Sequence, residues 1–126
     1  KAIGLSPVID WRAPSKAEPL GPMYGIVKEA FGEGYRMSHK DWNKLKTGKF
    51  YNPMREVKTI DGKKLLIMHW KDDDVVRYQE VATFARRTGA ELVLSKRGGH
   101  RAGRVLTIPR FAKKILKFLR KTQYSI

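Results

Sequence analysis

The 126-residue sequence contains no cysteine, so it has neither a disulfide framework nor thiolate metal ligands. It has no apolar run approaching the roughly 18 residues needed to cross a bilayer. Its opening, Lys-Ala-Ile-Gly-Leu-Ser-Pro, lacks the apolar stretch and small-residue cleavage site of a secretory leader, and a cytosolic location is expected. There is no internal repeat and no low-complexity tract. Acidic residues are scarce and badly distributed: from Leu92 to Ile126 there are ten basic residues and none that is acidic.

What is present follows from that imbalance. Lys and Arg number 27 against 12 Asp and Glu, a net charge of +15. A small soluble domain ordinarily carries a net charge of about 2–8. A polyanion is the natural partner for such a field. The candidate contacts are Lys96, Arg97, Arg101 and Arg104 in a glycine-containing loop, then Arg110, Lys113, Lys114, Lys117, Arg120 and Lys121 on a helix. No platform of spaced aromatics is evident, which points to structured RNA recognised by shape rather than by base sequence. A hydrophobic content of 41% supports a real core, and the length fits one domain over 1–126.

Periodicity predicts the elements. An apolar run near residues 2–9, broken by Pro7, reads as a strand, and Asp10–Pro22 with its prolines as an irregular excursion. Met23, Ile26, Val27, Ala30 and Phe31 are spaced for a helix stopped by Gly32. Ser38 with Asp41 signals the start of a short helix ending near Gly48, with Trp42 and Leu45 facing inward. Lys64–His69 and Glu91–Ser95 read as strands on either side of a helix near 77–88, whose C′ position suits Gly89. A last helix over 108–121 is capped by Thr107 and buries Ile108, Phe111, Ala112, Ile115, Leu116 and Leu119. Strand–helix–strand–helix with short connections implies parallel pairing, and the expected fold class is α/β.

At residues 65–78, Leu-Leu-Ile-Met-His-Trp-Lys-Asp-Asp-Asp-Val-Val-Arg-Tyr, the sequence resembles the late strand and acid loop of α/β-hydrolases, especially the prolyl-oligopeptidase-like and small esterase branches. Phe84–Ala90 is similar to the end of the family's next helix. Ser95-Lys96-Arg97-Gly98-Gly99-His100 is similar to the loop that delivers the catalytic histidine. Leu5–Trp11 resembles the strand that follows the nucleophile helix. The resemblance implies half of an α/β-hydrolase fold: a short parallel three-stranded sheet flanked by helices, a cap-like insertion at 12–60 and a βαβα unit at 61–126. It implies Asp73 and His100 as the triad's acid and histidine. Two departures stand out. Trp70 occupies the family's usual glycine, where it is expected to crowd a substrate site, and Arg77 occupies its usual proline.

Apart from the family, the residues point to an acid–imidazole pair between these two loops, for which one of Asp72, Asp73 and Asp74 facing inward suffices. Loops at the C-terminal ends of neighbouring parallel strands are where open α/β sheets place ligand sites. A carboxylate there holds an imidazole in one tautomer. The competing reading of Asp72-Asp73-Asp74 is a solvated turn or helix N-terminus. This run lacks the ligand spacing of a metal site, and no cofactor is expected. His69 is expected to be structural and His39 exposed. The nucleophile motif Gly-x-Ser-x-Gly is missing; Gly4-Leu5-Ser6-Pro7-Val8 comes nearest, with Val in the last position.

Two readings follow. In the first, a non-catalytic, basic, hydrolase-derived domain binds structured RNA in a ribonucleoprotein such as a ribosome. In the second, the chain is the C-terminal half of a split or cleaved serine hydrolase, giving Asp73 and His100 to a partner chain. Charge favours the first, the retained pair the second, and on sequence the first leads. In either case the isolated chain is not expected to turn over substrate. The strand near 2–9 should be an edge covered by a homodimer, a partner chain or RNA. Membrane attachment through 108–121 comes third.

Overall fold

In the computed structural model, which describes residues 1–15, 17–47, 50–100 and 102–121, the apolar run near residue 67 becomes the middle strand of a three-stranded parallel sheet. The strands are β1 (Ala2–Leu5), β2 (Leu65–Trp70) and β3 (Glu91–Ser95), in that spatial order. β1 meets β2 with Ala2 opposite Leu65, and β2 meets β3 with Leu66 opposite Glu91. The α/β class and the flanking helices agree with the sequence expectation.

Because strand side chains alternate, β2 feeds two cores. Ile67 packs with Val81, Phe84 and Ala85 of α3 (Tyr78–Thr88), and with Ile9, Met54 and Val57. Leu66, Met68 and Trp70 pack on the other side with Val105 and with Phe111 and Phe118 of α4 (Pro109–Arg120). Each such side chain withdrawn from water contributes about 1.5–3 kcal/mol. The two helices therefore cover opposite faces and leave the C-terminal ends of the strands open for loops.

β1 is shorter than the sequence suggests. It stops at Leu5 because Ser6 adopts a left-handed φ of 45° and Pro7 has no N–H to donate. The Ser6 amide still donates to the Met68 carbonyl at 3.0 Å. β1 pairs on one side only, so it is an edge, as expected.

Between β1 and β2 lies a helical hairpin of α1 (Leu20–Phe31) and α2 (His39–Thr47). α1 starts earlier than predicted, since Pro22 falls in its first turn, where a missing N–H costs nothing. None of its residues is buried. The pair is joined instead by Trp42, whose indole N–H donates to the Leu20 carbonyl at 2.6 Å and whose ring meets Tyr24 and Tyr35. Ser38 Oγ accepts from the Asp41 amide at 3.1 Å, the cap that the sequence signalled. The expected end at Gly48 lies outside the described residues.

α4 corrects two expectations. Thr107 does not cap it: the Thr107 hydroxyl donates to the Arg104 carbonyl at the end of a 3-10 turn, and Ile108 takes the cap position. The buried stripe is Ile108, Phe111, Ile115 and Phe118, while Leu116 and Leu119 are exposed. A stripe passing through 118 rather than 116 and 119 rotates the helix so that its outermost line is Lys113, Leu116, Lys117 and Arg120.

Two glycines shape the C-terminal end of α3. Gly89 closes it in the left-handed region at φ 76°. Gly62, in the turn before β2, is buried against the end of α3, where a Cβ would overlap the Thr88 carbonyl oxygen and the peptide after it. Overpacking of this kind costs about 1–3 kcal/mol or more. Gly62→Ala is expected to lower stability by roughly that amount in urea denaturation, and an unchanged midpoint would show that the turn has room to move.

Candidate functional site

The C-terminal end of the sheet is organised by three short segments. β2 ends at Trp70, and the chain turns through Lys71, whose amide donates to the Ser95 carbonyl at 2.9 Å and extends the pairing with β3. Asp73 then folds back over its own loop. Its Oδ1 accepts from the amides of Val75 at 3.0 Å and Val76 at 2.8 Å, an Asx-type turn that leads into α3. The side chain is fully buried. A carboxylate in that position is tolerated only when its lone pairs meet donors.

The next donor is His100. Its Nδ1 lies 3.0 Å from Asp73 Oδ2 and 3.2 Å from Oδ1, so the pair predicted from sequence is in hydrogen-bond contact. The imidazole is about one-third exposed, at 32%. With Nδ1 committed to the carboxylate, Nε2 is the nitrogen left for an incoming group.

Asp72 secures the histidine loop from the other side. It accepts from the amides of Gly98 and Gly99, both at 3.0 Å, and these bonds hold its carboxyl below the usual range, Gly99 contributing most. Gly99 has φ +59°. Gly98 lies against the Trp70 indole, with no room for a Cβ. Trp70 therefore does not crowd the site: its ring is buried in the α4-side core, 6.2 Å from Phe111. Of the three aspartates, Asp74 alone is exposed without a bond that shapes the loop.

His69 sits beneath this arrangement. It is buried, its Nε2 lies 2.8 Å from the Val76 carbonyl and 3.6 Å from Asp73 Oδ2, and its Nδ1 has no hydrogen-bond partner among the described residues. An unpaired buried acceptor costs about 1–3 kcal/mol. Burial lowers the His69 pKa, with the charge of His100 acting in the same direction; the Val76 carbonyl and Asp73 oppose them. His39 is exposed, as expected, with its ring 4.8 Å from Tyr24.

Ser6 is buried, and its Oγ has no hydrogen-bond partner among the described residues. No group of three or more His, Asp or Glu side chains is arranged to hold a metal ion among the described residues. An apolar cavity of about 130 Å³ lies between the excursion after β1, the α1–α2 hairpin and the start of α3. Val75 and Val76 form one wall of it, but neither Asp73 nor His100 lines it.

The ten basic candidates separate. Lys96, Arg97 and Arg104 are exposed in the loop region, and Arg101 lies outside the described residues. Lys113, Lys117 and Arg120 flank Leu116 in a shallow groove on the outward face of α4. Lys114, and Lys121 which also lines that groove, are held by Glu91 at 2.6 and 3.2 Å, and Arg110 stacks over the Phe111 ring at 4.7 Å. Sequence reasoning misses Glu91, although its place as the last acidic residue before an all-basic tail is a usable signal. No described helix is long and apolar enough to cross a membrane. No protein-family profile, curated protein or solved structure matches the chain.

The depressed His69 pKa has a consequence for stability. Below about pH 6.5 the unfolded chain takes up a proton at this residue while the folded chain stays neutral to lower pH. The unfolded state then binds more protons, so stability contributed by neutral His69 falls as pH drops, by at most about 1.4 kcal/mol per pH unit. Urea denaturation at pH 7 and pH 5 is expected to show this loss, and His69→Gln to lessen it. Equal pH dependence in the two proteins would show that His69 titrates freely when folded.

Proposed function

We propose that this chain supplies the acid and the base of a serine-hydrolase-type triad, Asp73 and His100, to a nucleophile carried by another segment. The observation that carries this reading is the contact of His100 Nδ1 with the buried Asp73 carboxylate at 3.0 Å. Its position on two loops at the C-terminal ends of adjacent parallel strands supports it. So does the resemblance of residues 65–100 to the acid and histidine loops of α/β-hydrolases.

In this reading Asp73 keeps the proton of neutral His100 on Nδ1, leaving Nε2 to accept a proton from a hydroxyl nucleophile. Asp73 then stabilises the imidazolium without taking the proton itself. Ser6 does not serve as that nucleophile. It is buried, Pro7 follows it directly, and no helix begins there, whereas a nucleophile elbow exposes its serine on a sharp strand-to-helix turn. The oxyanion donors must come from the segment that brings the nucleophile. β1 is one of the two edges of the sheet among the described residues, and such a segment can pair against it.

A second reading rests on charge. The outward line of α4 presents Lys113, Lys117 and Arg120 with no acidic partner among the described residues, and Lys96, Arg97 and Arg104 are exposed on the segment that precedes the helix. This surface suits the phosphates of structured RNA. It is compatible with the first reading, because this face of the helix is the one opposite its contact with the sheet.

Two experiments test these readings. The chain alone is expected to hydrolyse short-chain nitrophenyl esters no faster than its His100→Ala variant. Purified with its complementary segment, it should support fluorophosphonate labelling of that segment, and Asp73→Asn should reduce turnover by up to about 10⁴-fold. Labelling of Ser6, or turnover indifferent to His100, would sink the proposal. For the second reading, binding of about five phosphates should give a log–log salt slope near −4 to −5 on duplex RNA. Replacing Lys113, Lys117 and Arg120 by Ala should flatten that slope by about one for each phosphate no longer neutralised. Replacing Lys114 and Lys121, which share the single carboxylate of Glu91, should flatten it less. An unchanged slope in the first variant would mean that α4 does not face the RNA.

A further inference from the structure

We infer that His69 is a positioning residue: by donating its Nε2–H to the Val76 carbonyl, it fixes the acid loop so that the Asp73 carboxylate faces His100. The inference rests on reading Asp73 and His100 as an acid–histidine pair.

The Val76 carbonyl can only accept, so the 2.8 Å contact requires the proton of His69 to sit on Nε2. Val76 is thereby held from both ends of its residue: its amide donates to Asp73 Oδ1 at 2.8 Å, and its carbonyl accepts from His69. Rotation of the loop as a unit breaks the His69 bond, and rotation of the Asp73 side chain alone breaks the Val76 amide bond, so either movement away from His100 is opposed. His69 also leaves the carboxylate free for its task. Its 3.6 Å separation from Asp73 Oδ2 is too long for a hydrogen bond, so Oδ2 remains available to His100 at 3.0 Å. Packing alone does not account for an imidazole here. The side chain is wholly buried with Nδ1 unpaired among the described residues, a cost that an apolar side chain of the same size would avoid. The two imidazoles beside Asp73 thus hold opposite tautomers, Nε2–H on the inner one and Nδ1–H on the outer.

Long-range ¹H–¹⁵N spectra of the full chain, recorded in mildly alkaline buffer, read both tautomers directly. The wild type is expected to show Nε2–H for His69 and Nδ1–H for His100. In His69→Leu, which removes the donor, His100 should lose its single Nδ1–H form and become a mixture of tautomers. His69→Gln, whose side-chain amide can reach the same carbonyl, should restore it. A His100 that keeps one Nδ1–H tautomer in His69→Leu would overturn the inference, as would a wild-type His69 protonated on Nδ1. Should His69→Leu not fold, the wild-type His69 tautomer and the state of His100 in His69→Gln still decide the matter. A wild-type His100 lacking Nδ1–H beside a correctly protonated His69 would instead refute the acid–histidine pair itself.

Discussion

A carboxylate excluded from water has to be surrounded by donors, and the site is the set of positions from which donors reach Asp73. Two come from its own loop, the amides of Val75 and Val76, and they set the turn that starts α3. The third comes from a different loop, and bringing His100 there requires the segment after β3 to fold back across the end of β2. Asp72 holds that return through two glycine amides, and Trp70 packs beneath it where Gly98 has no side chain. Neighbouring residues at the end of β2 and in the turn after it thus have different tasks. Trp70 seals the core, Asp72 anchors the neighbouring loop, and Asp73 collects donors.

A similar division governs the basic tail. Glu91, at the start of β3, accepts from Lys114 and Lys121, and these bonds, Lys114 first, hold its carboxyl below the usual range. One acidic residue thereby ties α4 to the sheet edge and offsets one of the two positive charges it meets. The remaining charge is concentrated on the outward line of the helix and on the loop leading to it. Charge counted along the chain and charge presented to a partner are therefore different quantities here.

Much of this is legible in the sequence because local rules agree with tertiary needs. The run 65–70 is apolar for most of its length, as a strand buried on both faces requires, and Gly89 and Ser38 mark helix ends through backbone chemistry that is local. Asp73 and His100 are identifiable from spacing and resemblance, and the geometry brings them together. Sequence reasoning fails where a distant contact decides. Leu116 and Leu119 fit a helical stripe as well as Phe118 does, but the larger ring takes the core position. Thr107 looks like a cap, yet its hydroxyl bonds within the preceding turn. The roles of Asp72 and Glu91 depend on partners more than twenty residues away, which no local pattern announces.

The pairing pattern of the sheet also sets an order of assembly. Ala2 and Leu65 are 63 positions apart, whereas Leu66 and Glu91 are separated by 25. Closing the longer loop costs about 0.8 kcal/mol more in chain entropy. The β2–α3–β3 crossover is thus the entropically nearer unit, and β1 docks onto an existing strand edge. Asp73 and His100 both belong to the part that closes first. A chain still being synthesised or still folding can form its acid–histidine contact before its own first strand has found a place, and for that interval β2 offers a free edge to any strand of matching register.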